Sequence, residues 1–134
     1  MVEELLEYIL KETRKDEFYD VLMSIFGAEL PKDEYIGTST AHNCDRNSYK
    51  HRKDFQVYTG VILFYNPDIK QWTTTTHVFN YSDEGVVEFT DLGSPEEWKD
   101  TFYFGAPYVG RLKDVWDTPK AKKWYKKLEA GKLR

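Results

Sequence analysis

The sequence predicts an α+β fold in which N-terminal helices and a cysteine-bearing helix pack on an antiparallel β-sheet. Apolar residues recur at helical spacing before residue 27, whereas β-branched and aromatic residues fill three segments between residues 56 and 91. A chain of 134 residues, 40% of them hydrophobic, suffices for one domain with one core. We divide this predicted domain into a helical part (1–36), an α+β core of catalytic type (37–117) and a basic C-terminal helix (118–134).

Two apolar stripes predict helices near the N-terminus. The first stripe comprises Leu5, Leu6, Ile9 and Leu10, and the second comprises Phe18, Val21, Leu22, Ile25 and Phe26. The second stripe has the spacing of a helix that packs one face on a core. Gly27 is a typical helix terminator, and residues 31–37 are expected to form a loop.

The middle of the chain is predicted to form the sheet. The predicted strands are residues 56–65, 71–81 and 86–91. Ser82 to Gly85 forms a short turn, so the second and third strands should make a hairpin. Aromatic residues between 98 and 108 indicate a loop that leads to another strand. Thr118 and Pro119 start a C-terminal helix that we expect to end near Gly131.

The charges are unevenly distributed along the chain. Residues 118–134 contain seven basic residues and one acid, which gives this segment a net charge of +6. Because the net charge of the whole chain is −4, residues 1–117 have a net charge of −10. An acidic body disfavours a nucleic-acid-binding surface, because phosphate contacts need clustered lysine and arginine. The basic tail is either a contact site for nucleic acid or an acidic partner or a solvated helix face, and we favour the solvated face.

The N-terminus and the cysteine content indicate the compartment. No apolar run approaches the length of a membrane span, and the acidic start of the chain differs from the basic start of a signal peptide. The single cysteine, Cys44, has no partner for an intramolecular disulfide, as is typical of a reducing compartment. We therefore predict a cytoplasmic protein that does not act on a membrane.

Three residues in the predicted core supply the parts of a cysteine-based active site. Cys44 stands where a short helix begins, and the positive end of a helix favours the thiolate and can supply an oxyanion site. His77 lies on the second predicted strand and Glu88 on the third. A nucleophile, a base and an orienting carboxylate are the groups needed for acyl transfer through a thioester, provided that they meet in space.

The register of the hairpin decides which carboxylate reaches His77. With a loop from Ser82 to Gly85, Tyr81 pairs with Val86, Phe79 with Glu88, and His77 with Thr90. His77 and Glu88 then share one face, at a diagonal separation that a carboxylate can span. Asp91 points to the opposite face, although a bulge or a one-residue register change would bring it in instead.

Two asparagines next to Cys44, Asn43 and Asn47, are candidate helpers of this site. Asn47 falls in the first turn after Cys44. It is either a structural hydrogen-bonding residue or a contributor to an oxyanion site, and the sequence favours the structural role.

A metal site is the second chemical interpretation of the same region. Its ligands would be His42, Cys44, His51 and His77. Their spacing matches no standard zinc pattern, and structural zinc sites generally use more cysteines. The glycines are scattered and form no phosphate-binding loop. We therefore predict neither a metal nor a cofactor.

The order of the motifs resembles a known superfamily. The motifs are Cys44-x-x-Asn47, Tyr58-Thr59-Gly60, His77-Val78-Phe79-Asn80, the segment 85–90 (GVVEFT) and Tyr103-Phe104-Gly105. Over roughly residues 40–105, this order is similar to that of small phage and bacterial proteins in the papain-like/transglutaminase-like cysteine-hydrolase superfamily. The resemblance implies a thiol nucleophile at Cys44, a base at His77 and an orienting acid at Glu88. The chain departs from the pattern with Glu88 for the usual Asp, Phe89 for Pro, and Phe79 where Trp is commoner.

Two functional classes follow from these observations. The first is a cysteine hydrolase or acyltransferase acting on an amide of a protein or peptide-like substrate, such as a peptidase, amidase, deamidase or transglutaminase-like enzyme. The second is a non-catalytic phage-type protein that binds and inhibits a host protein with the same scaffold. A reactive thiol beside a histidine favours the enzyme, whereas a buried inert thiol favours the binding protein.

Overall fold

A computed structural model describes residues 2–130, which contain four α-helices and five strands. The helices are α1 (Val2–Phe26), α2 (Cys44–Lys50), α3 (Pro95–Lys99) and α4 (Pro119–Ala130). The strands are β1 (Lys32–Ser39), β2 (Gln56–Asn66), β3 (Gln71–Ser82), β4 (Gly85–Thr90) and β5 (Phe102–Pro107). The α+β class is confirmed. No helix within residues 2–130 has the length and apolar character to cross a membrane.

The strands form one mixed sheet in the order β1-β4-β3-β2-β5. β1 runs parallel to β4, and the other neighbouring pairs are antiparallel. The expectations of a fully antiparallel sheet and of a loop at residues 31–37 were therefore wrong. The reason is that β1 lies at the sheet edge, where charged residues such as Asp33 and Glu34 remain exposed and no alternating apolar pattern is needed.

The two predicted N-terminal helical stretches form one continuous helix, α1. Its second stripe packs on the sheet as predicted, with Phe18 and Leu22 buried and Ile25 packed against the same core. The first stripe does not: Leu5, Leu6, Ile9 and Leu10 are each about half or more exposed. Periodicity predicted the helix here, but contact with the sheet begins only further along it.

The core lies on both faces of the sheet. On one face, α1 and α4 cover β2, β3 and β5, and this cluster includes Phe18, Leu22, Val61, Leu63, Trp72, Phe104 and Leu128. On the other face, Trp98 of α3 packs with Ile62, Phe79 and Tyr103. The second face is the one on which His77 lies, because side chains alternate along β3.

The hairpin and the C-terminal helix lie close to where the sequence predicted them. Tyr81 pairs with Val86 as predicted, and Ser82 pairs with Gly85, so the loop itself is shorter than expected. The helix α4 begins at Pro119, where the Thr118 hydroxyl accepts a hydrogen bond from the Ala121 backbone N–H. The predicted end near Gly131 lies outside the described residues.

Gly60 of β2 occupies a position that no other residue fits. It pairs with His77 of β3 on one side and with Gly105 of β5 on the other. A Cβ atom at Gly60 would collide with the Phe104 carbonyl oxygen, and one at Gly105 would lie 3.2 Å from the Phe79 ring. The glycine of the Tyr58-Thr59-Gly60 motif therefore permits the close approach of β5 to β2, next to His77.

Candidate active site

The helix that carries Cys44 is held where β3 and β4 part. β4 pairs with β3 at Asn80, Tyr81 and Ser82, and beyond Val87 it pairs with β1 alone. The Ser48 hydroxyl of α2 donates a hydrogen bond of 3.0 Å to the Val78 carbonyl of β3, and the Asn80 side chain donates one of 3.0 Å back to the Ser48 carbonyl. These buried hydrogen bonds fix α2 against the strand that bears His77.

Asn47 ties the same helix to β4. Its side-chain amide donates hydrogen bonds of 2.9 Å to the Thr90 hydroxyl and to the Thr40 carbonyl. Asn47 is thus a structural link between α2, β4 and the chain before the helix. Asn43 precedes the first residue of α2, and its side chain makes no capping hydrogen bond there.

Cys44 is the first residue of α2, as the sequence predicted, and it is half-buried. Its side chain packs against the cluster that contains Val57 and Val78. It lines the same groove as His77, and its interactions with the ring contribute to the raised pKa of His77. The structure therefore brings the predicted nucleophile and base together.

His77 is buried and paired with Glu88. Its Nε2 atom lies 2.6 Å from Oε1 of Glu88, and their side chains are 5% and 0% exposed. Because Glu88 occupies Nε2, the ring nitrogen that remains for Cys44 is Nδ1. The Glu88 carboxylate thus fixes the orientation of the His77 ring and leaves Nδ1 as its other polar atom.

The electrostatics of the pair favour a protonated ring. Burial by itself lowers the pKa of His77, but the negative charge of Glu88 and hydrogen bonds to Cys44 and Glu88 outweigh this effect and raise the pKa from 6.5 to about 10.

Glu88 is held by two further donors. The Tyr103 hydroxyl donates a hydrogen bond of 2.6 Å to Oε1, and the Thr90 backbone N–H donates one of 3.2 Å to Oε2. The Trp98 indole N–H in turn donates a hydrogen bond of 2.9 Å to the Tyr103 oxygen. Burial and the charge of Glu88 raise the pKa of Tyr103 well above its ordinary value, so the hydroxyl remains a donor.

Tyr103 belongs to one of the sequence motifs, but neither Tyr103 nor Trp98 was predicted to take part in the site. Both belong to the aromatic segment after β4, which looks like ordinary core sequence. The available signal was the polar atom that each ring carries, since a buried tyrosine or tryptophan generally needs a hydrogen-bond partner. The partner itself became visible only when β5 and α3 were placed around Glu88.

The thiol and the imidazole open on a groove of about 510 Å³. Its floor is formed by residues of β2 and β3, including Ile62 and Phe64, and its far wall contains Leu92 and Thr101. Thr73 to Thr76 of β3 line the groove next to His77. A ligand in this groove would therefore reach Cys44 and His77 from the solvent side.

The remaining candidate residues make their contacts elsewhere. Asp91 lines the groove but accepts hydrogen bonds from the Gly93 backbone N–H at 2.9 Å and from the Tyr35 hydroxyl at 3.4 Å. His51 stacks on Phe89, with ring centroids 3.7 Å apart. Among residues 2–130, no three His, Cys, Asp or Glu side chains are grouped so as to hold a metal ion.

Comparison of the chain with protein-family models, with curated proteins and with solved structures finds no significant match.

Proposed function

We propose that this protein is a cysteine-dependent hydrolase or acyltransferase that acts on an amide bond, with the arrangement of the papain-like/transglutaminase-like superfamily. The observation that carries the proposal is the buried His77–Glu88 pair, which presents its imidazole to the thiol of Cys44 at the start of α2. A carboxylate, an imidazole and a thiol in this order are the elements of a cysteine nucleophile with its acid–base partner.

In the first half of the reaction, Cys44 sulfur attacks the carbonyl carbon of the amide. A C–S bond forms and the carbonyl electron pair moves to oxygen. When the tetrahedral intermediate collapses, the C–N bond breaks and the His77 imidazolium gives its proton to the departing amine. The products are a thioester on Cys44 and a free amine, with neutral His77.

In the second half, water or an acceptor amine attacks the thioester. Neutral His77 takes the proton of the attacking group, and the sulfur leaves as thiolate, which restores the thiolate–imidazolium pair. Attack by water makes the enzyme a hydrolase, and attack by an amine makes it an acyltransferase. Glu88 acts through His77 by fixing the ring and stabilising its positive charge.

The site combines burial and access in a way that supports this proposal. The pair is almost completely buried, so its charges are little screened, whereas Cys44 is half-buried at the edge of an open groove. A purely structural cysteine would not need a charged histidine turned towards it, since a core thiol behaves as a small hydrophobic group.

The experiment is a search for acylated Cys44. The protein is incubated with a panel of acyl and peptidyl p-nitroanilides, amine release is followed by absorbance, and the protein mass is recorded after acid quenching. We expect release with at least one member, together with a mass increase that maps to Cys44 and is abolished in Cys44→Ala. His77→Ala should lower the turnover rate by about 10² to 10⁴.

Asp45→Asn serves as a control because it changes a charge beside Cys44 without touching the pair. The proposal is contradicted if Cys44 releases amine from the p-nitroanilides no faster than free cysteine does and also reacts no faster than free cysteine with small alkylating reagents. That outcome would favour the non-catalytic protein-binding function that the sequence also allows.

A further inference from the structure

The outer edge of β3 beside the candidate active site pairs with β4 over only part of its length. β2 pairs with β3 from Gln71 to Tyr81, whereas the register with β4 on the opposite side covers only Asn80 to Ser82. Residues 73–76 lie on the part of this edge that β4 has left, and Thr75 and Thr76 are exposed. A strand edge of this kind is a template for another strand.

One hydrogen bond shows in which direction the main-chain groups along this edge point. The Val78 carbonyl accepts from Ser48 of α2, on the side of β3 away from β2. Main-chain polar groups alternate in direction along a strand, so those of Thr76, two residues earlier, also point away from β2. The N–H and C=O of Thr76 therefore face the outer edge, directly before His77.

Grooves lie on both faces of the sheet at this edge. The groove of about 510 Å³ contains Ile62 and Phe64 on the face of His77. A second groove of about 190 Å³ contains Val61 and Leu128 on the opposite face. Residues 74–76 line both of them. The side chains of an added strand alternate between the two faces, so they would enter the two grooves in turn.

We infer that the outer edge of β3 at residues 73–76 binds an extended polypeptide as an added strand and leads it to Cys44. The inference rests on the proposed function and specifies its substrate as a segment of extended chain. Main-chain hydrogen bonds along the edge supply affinity, and the two grooves of unequal size select a large and a small side chain in alternation. Residues 73–76 span about 10 Å, which accommodates three to four residues of an added strand.

The test compares the rates at which Cys44 is alkylated by chloromethyl ketone and chloroacetyl reagents with and without an attached peptide. Acetyl-tetra-alanine chloromethyl ketone carries its peptide before the reactive carbon and is compared with chloroacetone. Chloroacetyl-tetra-alanine amide carries its peptide after that carbon and is compared with chloroacetamide. In each case the sulfur displaces chloride and forms a C–S bond. Every rate is divided by the rate of the same reagent with free cysteine.

Only one of the two peptides should react about ten-fold faster than its small counterpart. An added strand runs in one direction, so the peptide either before or after the reactive carbon, but not both, lies along the β3 edge. The same peptide is then N-methylated at one amide at a time, and the gain should disappear at alternate positions only. Thr76→Pro, which removes an N–H on the outer edge without removing one from the β2 ladder, should also abolish the gain, whereas Thr76→Ala should retain it.

The inference is overturned if neither peptide gains over its small counterpart, or if N-methylation has the same effect at every position. Both tests use the unaltered protein, so they hold even if Thr76→Pro does not fold. Failure of the proposed function is separate, since it would appear as slow alkylation of Cys44 by chloroacetamide itself.

Discussion

Nε2 of His77 and Oε1 of Glu88 lie 2.6 Å apart across the β3–β4 hairpin, and both side chains are excluded from solvent. Burying two such groups is costly unless they pair with each other and their other polar atoms are hydrogen-bonded. Oε1 of Glu88 also accepts a hydrogen bond from the Tyr103 hydroxyl, and Oε2 accepts one from the Thr90 backbone N–H. The pair raises the pKa of His77 to about 10, so the ring is positively charged at neutral pH.

The first prediction concerns the reactivity of Cys44. Because an imidazolium faces the thiol, iodoacetamide should alkylate Cys44 in the folded protein measurably near pH 6 and faster than in the unfolded chain. In His77→Ala, the ratio of the rate at pH 6 to that at pH 9 should fall about ten-fold or more. Alkylation is followed by mass spectrometry with peptide mapping. Faster reaction after unfolding would identify Cys44 as a core residue.

The second prediction separates the two carboxylates. Glu88→Gln keeps the side-chain shape but removes the charge that raises the pKa of His77. Its alkylation profile should change in the same direction as that of His77→Ala, by a smaller amount. Asp91→Asn is the matched control, because Asp91 bonds to Gly93 and Tyr35 instead. A change in Asp91→Asn without one in Glu88→Gln would show that the third residue was wrongly assigned.

The third prediction concerns the support of Glu88 by Tyr103. Tyr103→Phe removes a donor to Glu88 and leaves the buried Trp98 indole N–H without its acceptor. The free energy of unfolding should fall by about 1–3 kcal/mol, measured by urea denaturation. Tyr125→Phe should cost less, because its hydroxyl makes only a 3.4 Å contact with Thr59. Equal losses in the two variants would argue against a special role for Tyr103.

The fourth prediction is the pH dependence of stability. The folded-state pKa of His77 is raised from 6.5 to about 10, so the folded protein binds this proton more tightly than the unfolded chain. The stabilisation is fully present below pH 6.5 and is lost as the pH rises through about 10, with a slope of at most about 1.4 kcal/mol per pH unit. Urea denaturation at pH 6, 8 and 9.5 measures it.

In His77→Asn this fall in stability with pH should be much smaller. The control is His42→Asn, because His42 is exposed and has a positive φ of 67°, which asparagine tolerates. If His77→Asn and the unaltered protein show the same slope between pH 6 and 9.5, the ring is not charged in the folded state.

The hairpin and its carboxylate could be predicted because their determinants are local. Turn residues at Ser82 to Gly85 and the alternation of strand side chains together placed His77 and Glu88 on one face. The sequence predicted that a short helix begins at Cys44, and the structure begins α2 at that residue. These inferences needed only neighbours in sequence or in a two-residue turn.

Other features depended on contacts between distant segments. Residues 32–39 form β1 because β4 offers a parallel edge to pair with, which no local pattern reveals. The exposed first stripe of α1 has the same periodicity as the buried second stripe, and only the extent of the sheet distinguishes them. In the same way, the Tyr103 hydroxyl that donates to Glu88 comes from β5, fifteen residues beyond it in the chain, and the Trp98 indole that donates to Tyr103 comes from α3.

Helix and strand periodicities fix which side chains share a face. The α+β class, the buried face of α1 at Phe18 and Leu22, and the common face of His77 and Glu88 could therefore be predicted from the sequence. The contact of the Cys44 thiol with this pair depends instead on how segments distant in the chain pack together. That contact requires β4 to leave β3 beyond Asn80, so that α2, held by Ser48 and Asn47, can bring its first residue to the edge of the strand.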